Sequence, residues 1–227
     1  NLFVGRNYDW LPETEKIFEV YKVLNPKRNS FIAVTDMGIG SSATAKPQYF
    51  FYNADDAIND KGLFIGLTFA NADQWSYGIS CIHMTKIIAE TCETVNEAIK
   101  VFENIPLCCP KNFFIADKNG DMAIVEHTSK KFKVVYPENN ILIQTNHYVD
   151  SELAKEDMVL QKFPRHNTFK RYDETLNEIN LEKDNFNIDT PIKILGRPGS
   201  NTCQNFPGIK TIWTLALDMT NKKYKFP

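Results

Sequence analysis

The chain has 227 residues, 43% apolar and 24% charged, with a formal net charge of −2 at pH 7. That balance is ordinary for a soluble globular protein and gives no electrostatic reason to expect nucleic acid or an anionic membrane surface as partner. Sixteen Phe, nine Tyr and three Trp can fill the core of one large domain, and residues 1–227 read as a single domain.

The pass along the chain begins with strands. Leu2-Phe3-Val4 and Arg6-Asn7-Tyr8 form a strand-like run over 2–8, closed by Leu11-Pro12 because proline cannot continue a ladder. Residues 16–24 and Ser30 to Met37 read as two more strands. Gly38-Ile39-Gly40-Ser41-Ser42 is a loop, without the Lys-Ser/Thr that would make its glycines a phosphate cradle. Asn59-Asp60-Lys61-Gly62 is a turn in which glycine supplies positive φ, and it opens Leu63 to Ala70, a strand apolar on both faces. Cys81 to Cys92 is a helix with Ile82, Lys86 and Ala89 on one face and Thr85 and Ile88 on another. Thr94-x-x-Glu97 is a capping box that starts a second helix, Val95 to Glu103.

Strands then return. Phe113 to Asp117 and Met122 to Glu126 form a hairpin around Asn119-Gly120. Phe132 to Tyr136 and Ile141 to Asn146 read as strands separated by a Pro-Glu-Asn-Asn turn. Asn167 to Asn180 is a polar helix with Phe169, Tyr172 and Leu176 at helical spacing. Asp189-Thr190-Pro191 caps a short helix, Ile192 to Leu195, that ends at Gly196. Thr211 to Leu217 and Lys223 to Phe226 close the chain as a hairpin around Asn221. This order of strands, paired helices, strands, helices and hairpin argues for an α+β fold rather than a doubly wound parallel sheet. Two sheets face to face with helices outside, a four-layer αββα sandwich, would bury the two-sided strand at 63–70.

The five cysteines, Cys81, Cys92, Cys108, Cys109 and Cys203, are odd in number and follow no disulfide framework, so a reduced, cytoplasmic protein is expected. Cys81-Ile82-His83 has the residues of a nucleophile and base, but positions i and i+2 of a helix diverge, so Cys81 is expected to pack in the core. Cys108-Cys109 lacks a second Cys or His cluster at zinc-site spacing, and no metal or cofactor is expected. His127 and His147 read as strand-end residues and Glu126 as structural. Asp55-Asp56 reads as a solvated turn without the spacing of a calcium loop.

Gly5-Arg6-Asn7-Tyr8-Asp9-Trp10 carries the most chemistry. Alternation puts Arg6 and Tyr8 on one face and Asn7 and Asp9 on the other, so Arg6 and Asp9 point the same way only if a bulge or turn intervenes. Spacing alone reads as a surface strand with a salt bridge. The stretch nevertheless resembles the Gly-Arg-Asn-x-Asp signature of N-terminal-nucleophile amidohydrolases with a cysteine nucleophile, a superfamily holding the bile-salt hydrolase and penicillin V acylase group, the acid-ceramidase group and the acyl-coenzyme A:6-aminopenicillanic acid acyltransferase group. Further pieces follow in order. Asn59-Asp60-Lys61-Gly62-Leu63, Ala116-Asp117-Lys118-Asn119-Gly120 with Val125-Glu126, Thr145-Asn146-His147-Tyr148, Asn167-Thr168-Phe169-Lys170-Arg171 and Thr211-Ile212-Trp213-Thr214 each resemble a segment of that superfamily. The helical stretches look most like the acyltransferase group.

The resemblance implies the four-layer αββα fold and cleavage of a linear, non-peptide amide through a cysteine acyl-enzyme, with the cysteine's own amine as base. It implies that Arg6 poises the thiolate, Asp9 holds the amine, Asn146 donates to the oxyanion and Arg171 steadies the network. Thr68 falls where the bile-salt branch has Asn, which weakens a bile-salt assignment. The first residue is Asn1, which has no nucleophile of this kind, so the cysteine is expected roughly 8–12 residues ahead of it, one strand and a turn away. With the natural start expected upstream, a signal peptide and the form of N-terminal processing stay open. A small acylated amine is the expected partner, with no nucleic acid and no membrane, and a homo-oligomer stays open. The alternative reading is a catalytically inactive member of the fold that serves as a binding or structural module.

Overall fold

A computed structural model describes residues 1–36, 53–72, 75–164 and 166–226. In chain order the strands are β1 (Phe3–Trp10), β2 (Glu19–Val23), β3 (Phe31–Thr35), β4 (Asp56–Asn59), β5 (Leu63–Phe69), β6 (Lys111–Asp117), β7 (Met122–His127), β8 (Phe132–Val135), β9 (Asn205–Phe206), β10 (Ile209–Asp218) and β11 (Lys223–Lys225). The helices are α1 (Cys81–Thr91), α2 (Val95–Asn104), α3 (Val159–Lys162), α4 (Thr168–Glu182) and α5 (Thr190–Leu195). The stretch 38–42, read as a loop, lies outside the described residues. The chain forms two units: one of residues 1–17, 118–120 and 167–227, the other of residues 18–117 and 121–166.

The larger unit is built on an antiparallel sheet in the order β2-β3-β4-β5-β6-β7-β8. β5 lies near its middle, between β4 and β6, and Leu63, Phe64, Ile65 and Leu67 are all buried. Burial on both faces explains the continuous apolar run in the sequence. The apolar stripe of α1 is Cys81, Met84, Thr85, Ile88 and Ala89. The structure therefore corrects the expected division of that helix: Ala89 joins Thr85 and Ile88 on one buried face, as a period of 3.6 residues dictates. That stripe, together with Val95, Ala98, Ile99 and Phe102 of α2, packs on Ala57, Leu63, Ile65, Phe113 and Ile115. Thr94 Oγ1 accepts from the Glu97 amide at 3.3 Å, while Glu97 reaches back to the Glu93 amide at 2.6 Å.

Two expectations in this unit fail. Asp55 and Asp56 are not a solvated turn; they are 3% and 1% exposed, because Asp56 opens β4 and pairs with both Val34 and Gly66. Burial, with the charge of Asp36 adding to it, raises the Asp55 carboxyl well above the ordinary carboxylate range. Residues 141–146 are not a strand either. The Pro-Glu-Asn-Asn turn forms as expected, with Asn139 and Asn140 both at positive φ, but after the isolated bridge from Glu138 to Ile141 no ladder continues.

In the smaller unit β10 pairs with β1, β9 and β11, all antiparallel. Tyr8 and Trp213 stack at 3.9 Å, and Val4, Leu215 and Leu217 are buried beside them. Gly5 is a close-approach glycine: a Cβ there would meet Pro191 at 2.8 Å and Leu195 at 2.9 Å, so α5 can lie against β1 only without one. Asp189 does not cap α5 with its side chain, which pairs instead with Lys225. In α4 the buried residues are Thr168 and Arg171, whereas Phe169 is exposed. A polar contact rather than an apolar stripe thus orients this helix.

Asn59 ties the β4–β5 turn to the end of α1. Its Nδ2 donates to the carbonyls of Ala89 (3.0 Å) and Cys92 (2.7 Å), and its Oδ1 accepts from the amides of Lys61 (3.1 Å) and Leu63 (2.9 Å). Gly62 completes the turn at φ 86°. Asn59→Ala leaves these buried backbone groups unpaired and is expected to cost about 2–4 kcal/mol. Urea unfolding checks this as a lower midpoint at unchanged slope.

Candidate functional site

In the smaller unit the site grows out of an irregularity in β1 and β10. The register runs from Phe3↔Asp218 to Tyr8↔Trp213 and then skips Ile212, so that Asp9 faces Thr211. This is a β-bulge, and it lies on the partner strand β10, so alternation within β1 is unchanged and Arg6 stays on the face of Tyr8. Thr211 Oγ1 donates to Asp9 Oδ1 at 2.5 Å, and the same oxygen accepts the backbone amide of Gln204 at 2.8 Å. The Gln204 side chain donates to Asn167 Oδ1 at 3.0 Å, which also accepts from Arg171 Nε at 2.9 Å. Asn7, next to Asp9 on β1, anchors the strand by donating to the carbonyls of Leu195 and Thr202, each at 2.9 Å.

The electrostatics follow from burial. Desolvation pushes the Asp9 carboxyl above its ordinary value, while the Arg171 charge, the Thr211 hydrogen bond and the Arg6 charge pull the other way. Arg171 is itself lowered by burial, with Asp9 supporting its charge and Arg6 opposing it. Arg6 donates from Nη1 to the Asn7 carbonyl at 2.5 Å and lies 5.4 Å over the Tyr8 ring. One carboxylate and two guanidinium groups thus act on one another in a partly water-excluded place, and their net charge is positive. A guanidinium favours an anion set directly against it, a thiolate included, whereas the Asp9 carboxylate disfavours one. Sequence reasoning missed Cys203 here, because nothing in its spacing marks it. Burial and the charge of Asp9 push its thiol up, which makes it a poor nucleophile at neutral pH.

In the larger unit Asn146 is tied to the end of β5 at Phe69, next to Thr68 in sequence. Asn146 Nδ2 donates to the Phe69 carbonyl at 3.0 Å, and Thr68 pairs across the ladder with Asn112. Asn112 in turn donates from Nδ2 to the His147 carbonyl at 3.3 Å. The segment 145–150 is held by side chains in place of a strand ladder. Gln144 donates to the Thr145 and His147 carbonyls at 3.0 Å each; Asp157 Oδ2 accepts the Tyr148 amide at 2.8 Å; and Glu126 accepts the amides of Val149 (2.6 Å) and Asp150 (2.9 Å). His127 ends β7 as expected, whereas His147 lies in this irregular segment, its Nδ1 3.0 Å from Thr145 Oγ1. Cys81 sits in the core cluster as expected, its thiol paired with that of Cys109. Among the described residues no group of three or more His, Cys, Asp or Glu is placed to hold a metal ion, and no helix is long and apolar enough to cross a membrane.

Comparison with known proteins adds to this geometry. The family model for acyl-coenzyme A:6-aminopenicillanic acid acyl-transferase matches residues 1–227. None of the curated proteins matches. Among solved structures, penicillin V acylase from Agrobacterium tumefaciens is similar with a TM-score of 0.68 and 16% identity over 99% of this chain and 78% of that one. An N-acylethanolamine-hydrolyzing acid amidase ortholog from Caenorhabditis elegans gives 0.64 and 13% over 96% and 88%. An arginine-to-leucine variant of conjugated bile acid hydrolase from Clostridium perfringens gives 0.60 and 15% over 99% and 79%. These likenesses show the fold, the α+β αββα class of the N-terminal-nucleophile hydrolases.

Glu126 offers a direct check on how the Asn146 segment is held. Burial raises its carboxyl to about 7, against the pull of the Val149 and Asp150 amides. Because the folded value lies above the unfolded one, the native state holds this proton more tightly, and the stability it contributes is lost as pH rises from the usual carboxylate range through about 7. The Val149 and Asp150 amide signals in NMR are expected to titrate with a midpoint near 7, a transition that Glu126→Gln abolishes.

Proposed function

Because the chain belongs to the acyl-coenzyme A:6-aminopenicillanic acid acyl-transferase family, we propose that it breaks a linear, non-peptide amide C–N bond through a cysteine acyl-enzyme, passing the acyl group to water or to an amine. The observation that carries this reading is that Asp9, Arg171 and Arg6 act on one another at the end of β1 that faces the β10 bulge. A buried carboxylate beside guanidinium groups suits a nucleophile that brings both an amine to be held and a thiolate to be stabilised. The named similar proteins point the same way: a penicillin V acylase, a conjugated bile acid hydrolase and an acid amidase acting on N-acylethanolamines.

The roles follow from the chemistry of each group. The nucleophile is a cysteine ahead of Asn1, and its α-amino group, with an ordinary pKa of about 7.7–8.0, takes the thiol proton. Asp9 holds that amine, and Arg6 favours the thiolate. The sulfur attacks the amide carbonyl carbon, and the oxygen takes up the displaced electron pair. Asn146, tied to the end of β5 next to Thr68 in sequence, donates to that oxyanion. Collapse expels the amine, which leaves with the proton from the α-amino group, and a thioester remains. Water or a second amine then attacks the thioester and frees the thiol. Arg171 acts on Asp9 from α4 and favours its ionised form against burial.

The reading is tested on the full-length gene product with a panel of acylated amines and penicillins, following products and enzyme by mass. An acyl adduct on an N-terminal cysteine is expected, together with amine release. Asn146→Ala is expected to lower kcat about 10²–10³-fold, and Asp9→Asn about 10²-fold or more. Turnover indifferent to both substitutions, or an adduct confined to Cys81, Cys92, Cys108, Cys109 or Cys203, would overturn it.

A further inference from the structure

We infer that Thr211 is a positioning residue that fixes the orientation and the ionisation of Asp9, and that the β10 bulge exists to deliver its hydroxyl. In an unbroken register Asp9 would face Ile212, whose side chain has nothing to donate; the bulge sets it opposite Thr211 instead. With the bulge, the Thr211 hydroxyl both donates and accepts: its one hydrogen goes to Asp9 Oδ1 at 2.5 Å, and its oxygen accepts the Gln204 amide at 2.8 Å. The bond from Gln204 occupies one lone pair and so favours the rotamer that aims the hydrogen at Asp9. The backbone of Thr211 is locked to the same residue, its amide donating to the Gln204 carbonyl at 2.9 Å.

Gln204 extends the arrangement to the cation that acts on Asp9. Its side chain and Arg171 Nε share Asn167 Oδ1, at 3.0 and 2.9 Å. The carboxylate and the guanidinium are thereby held by one hydrogen-bonded path, Asp9–Thr211–Gln204–Asn167–Arg171, drawn from β1, β10, the segment before β9, and α4. A neutral donor at 2.5 Å to a carboxylate is a charge-assisted bond, and it favours the ionised form. The other charged or titratable groups facing Asp9 are Arg171 from α4, Arg6 on its own strand and Cys203 from the segment before β9. One residue along the same strand pair, Lys210 is engaged by Glu15 at 2.6 Å.

The inference deepens the proposed function, since it concerns the residue there assigned to the nucleophile's amine, and its test has a readout that needs no turnover. Asp9 is titrated through its side-chain carboxyl carbon by NMR in the full-length protein and in Thr211→Val, Thr211→Ala and Thr211→Ser. Loss of the hydroxyl is expected to raise the Asp9 midpoint by about one unit, while Thr211→Ser stays close to the parent. Where turnover is measured, the acid limb of kcat/KM moves up with the midpoint, so the loss is about tenfold on that limb and small at alkaline pH. A midpoint unchanged in both Thr211→Val and Thr211→Ala overturns the inference even in an active enzyme. A raised midpoint in a protein that cleaves no amide upholds it and overturns the proposed function alone.

Discussion

A carboxylate taken out of water must be compensated, and the smaller unit of this protein is arranged around that requirement at Asp9. Burial alone would neutralise the group. Two guanidinium charges and one short hydroxyl bond oppose that, and each arrives from a different element: Arg6 from β1, Arg171 from α4 and Thr211 from β10. The features of the unit that look irregular follow from this. The skipped residue in the β1–β10 register and the polar rather than apolar buried face of α4 bring Thr211 and Arg171 to bear on one carboxylate.

The larger unit solves a different problem. Its sheet and helices make an ordinary apolar core, but the segment carrying Asn146 has no strand partner. Its backbone polar groups are satisfied one by one by Asn112, Glu126, Gln144 and Asp157. Asn112 and Glu126 project from the packed strands β6 and β7 and are fully buried, so they have already lost their rotamer freedom to the core and hold the loop more sharply than its own flexible backbone can. That suits a donor that must stand ready for charge developing on a substrate oxygen. The cost is a buried carboxyl at Glu126 whose proton affinity rises to about 7.

Cysteine chemistry separates in the same way. Cys81 and Cys109 share a hydrogen bond inside the core, Cys92 is buried at the end of α1, and Cys203 lies beside the Asp9 carboxylate with its thiol pushed up. Burial and the negative charge of Asp9 both keep the Cys203 thiol protonated, so it is a quiet bystander beside that carboxylate.

The sequence by itself determined the elements and the class of fold. Turn chemistry at Asn59 to Gly62, the two-sided apolar run of β5, the hairpin at Asn119-Gly120 and the cap at Thr94 are local signals, decided by a few residues around each, and the ordered motifs from Arg6 to Thr214 made the family resemblance legible. It misjudged Asp55-Asp56, 141–146 and the faces of α1 and α4, where burial or a distant partner overrides local preference. What only the tertiary structure decided is which polar groups meet. The bulge that sets Asp9 opposite Thr211 arises more than two hundred residues later in the chain, and no spacing within β1 announces it. Hydrogen bonds between Asp9 and Thr211, or between Gln204 and Asn167, join residues whose separation carries no periodic signal. Their pairing is fixed by how the strands and α4 pack, which the whole chain settles at once.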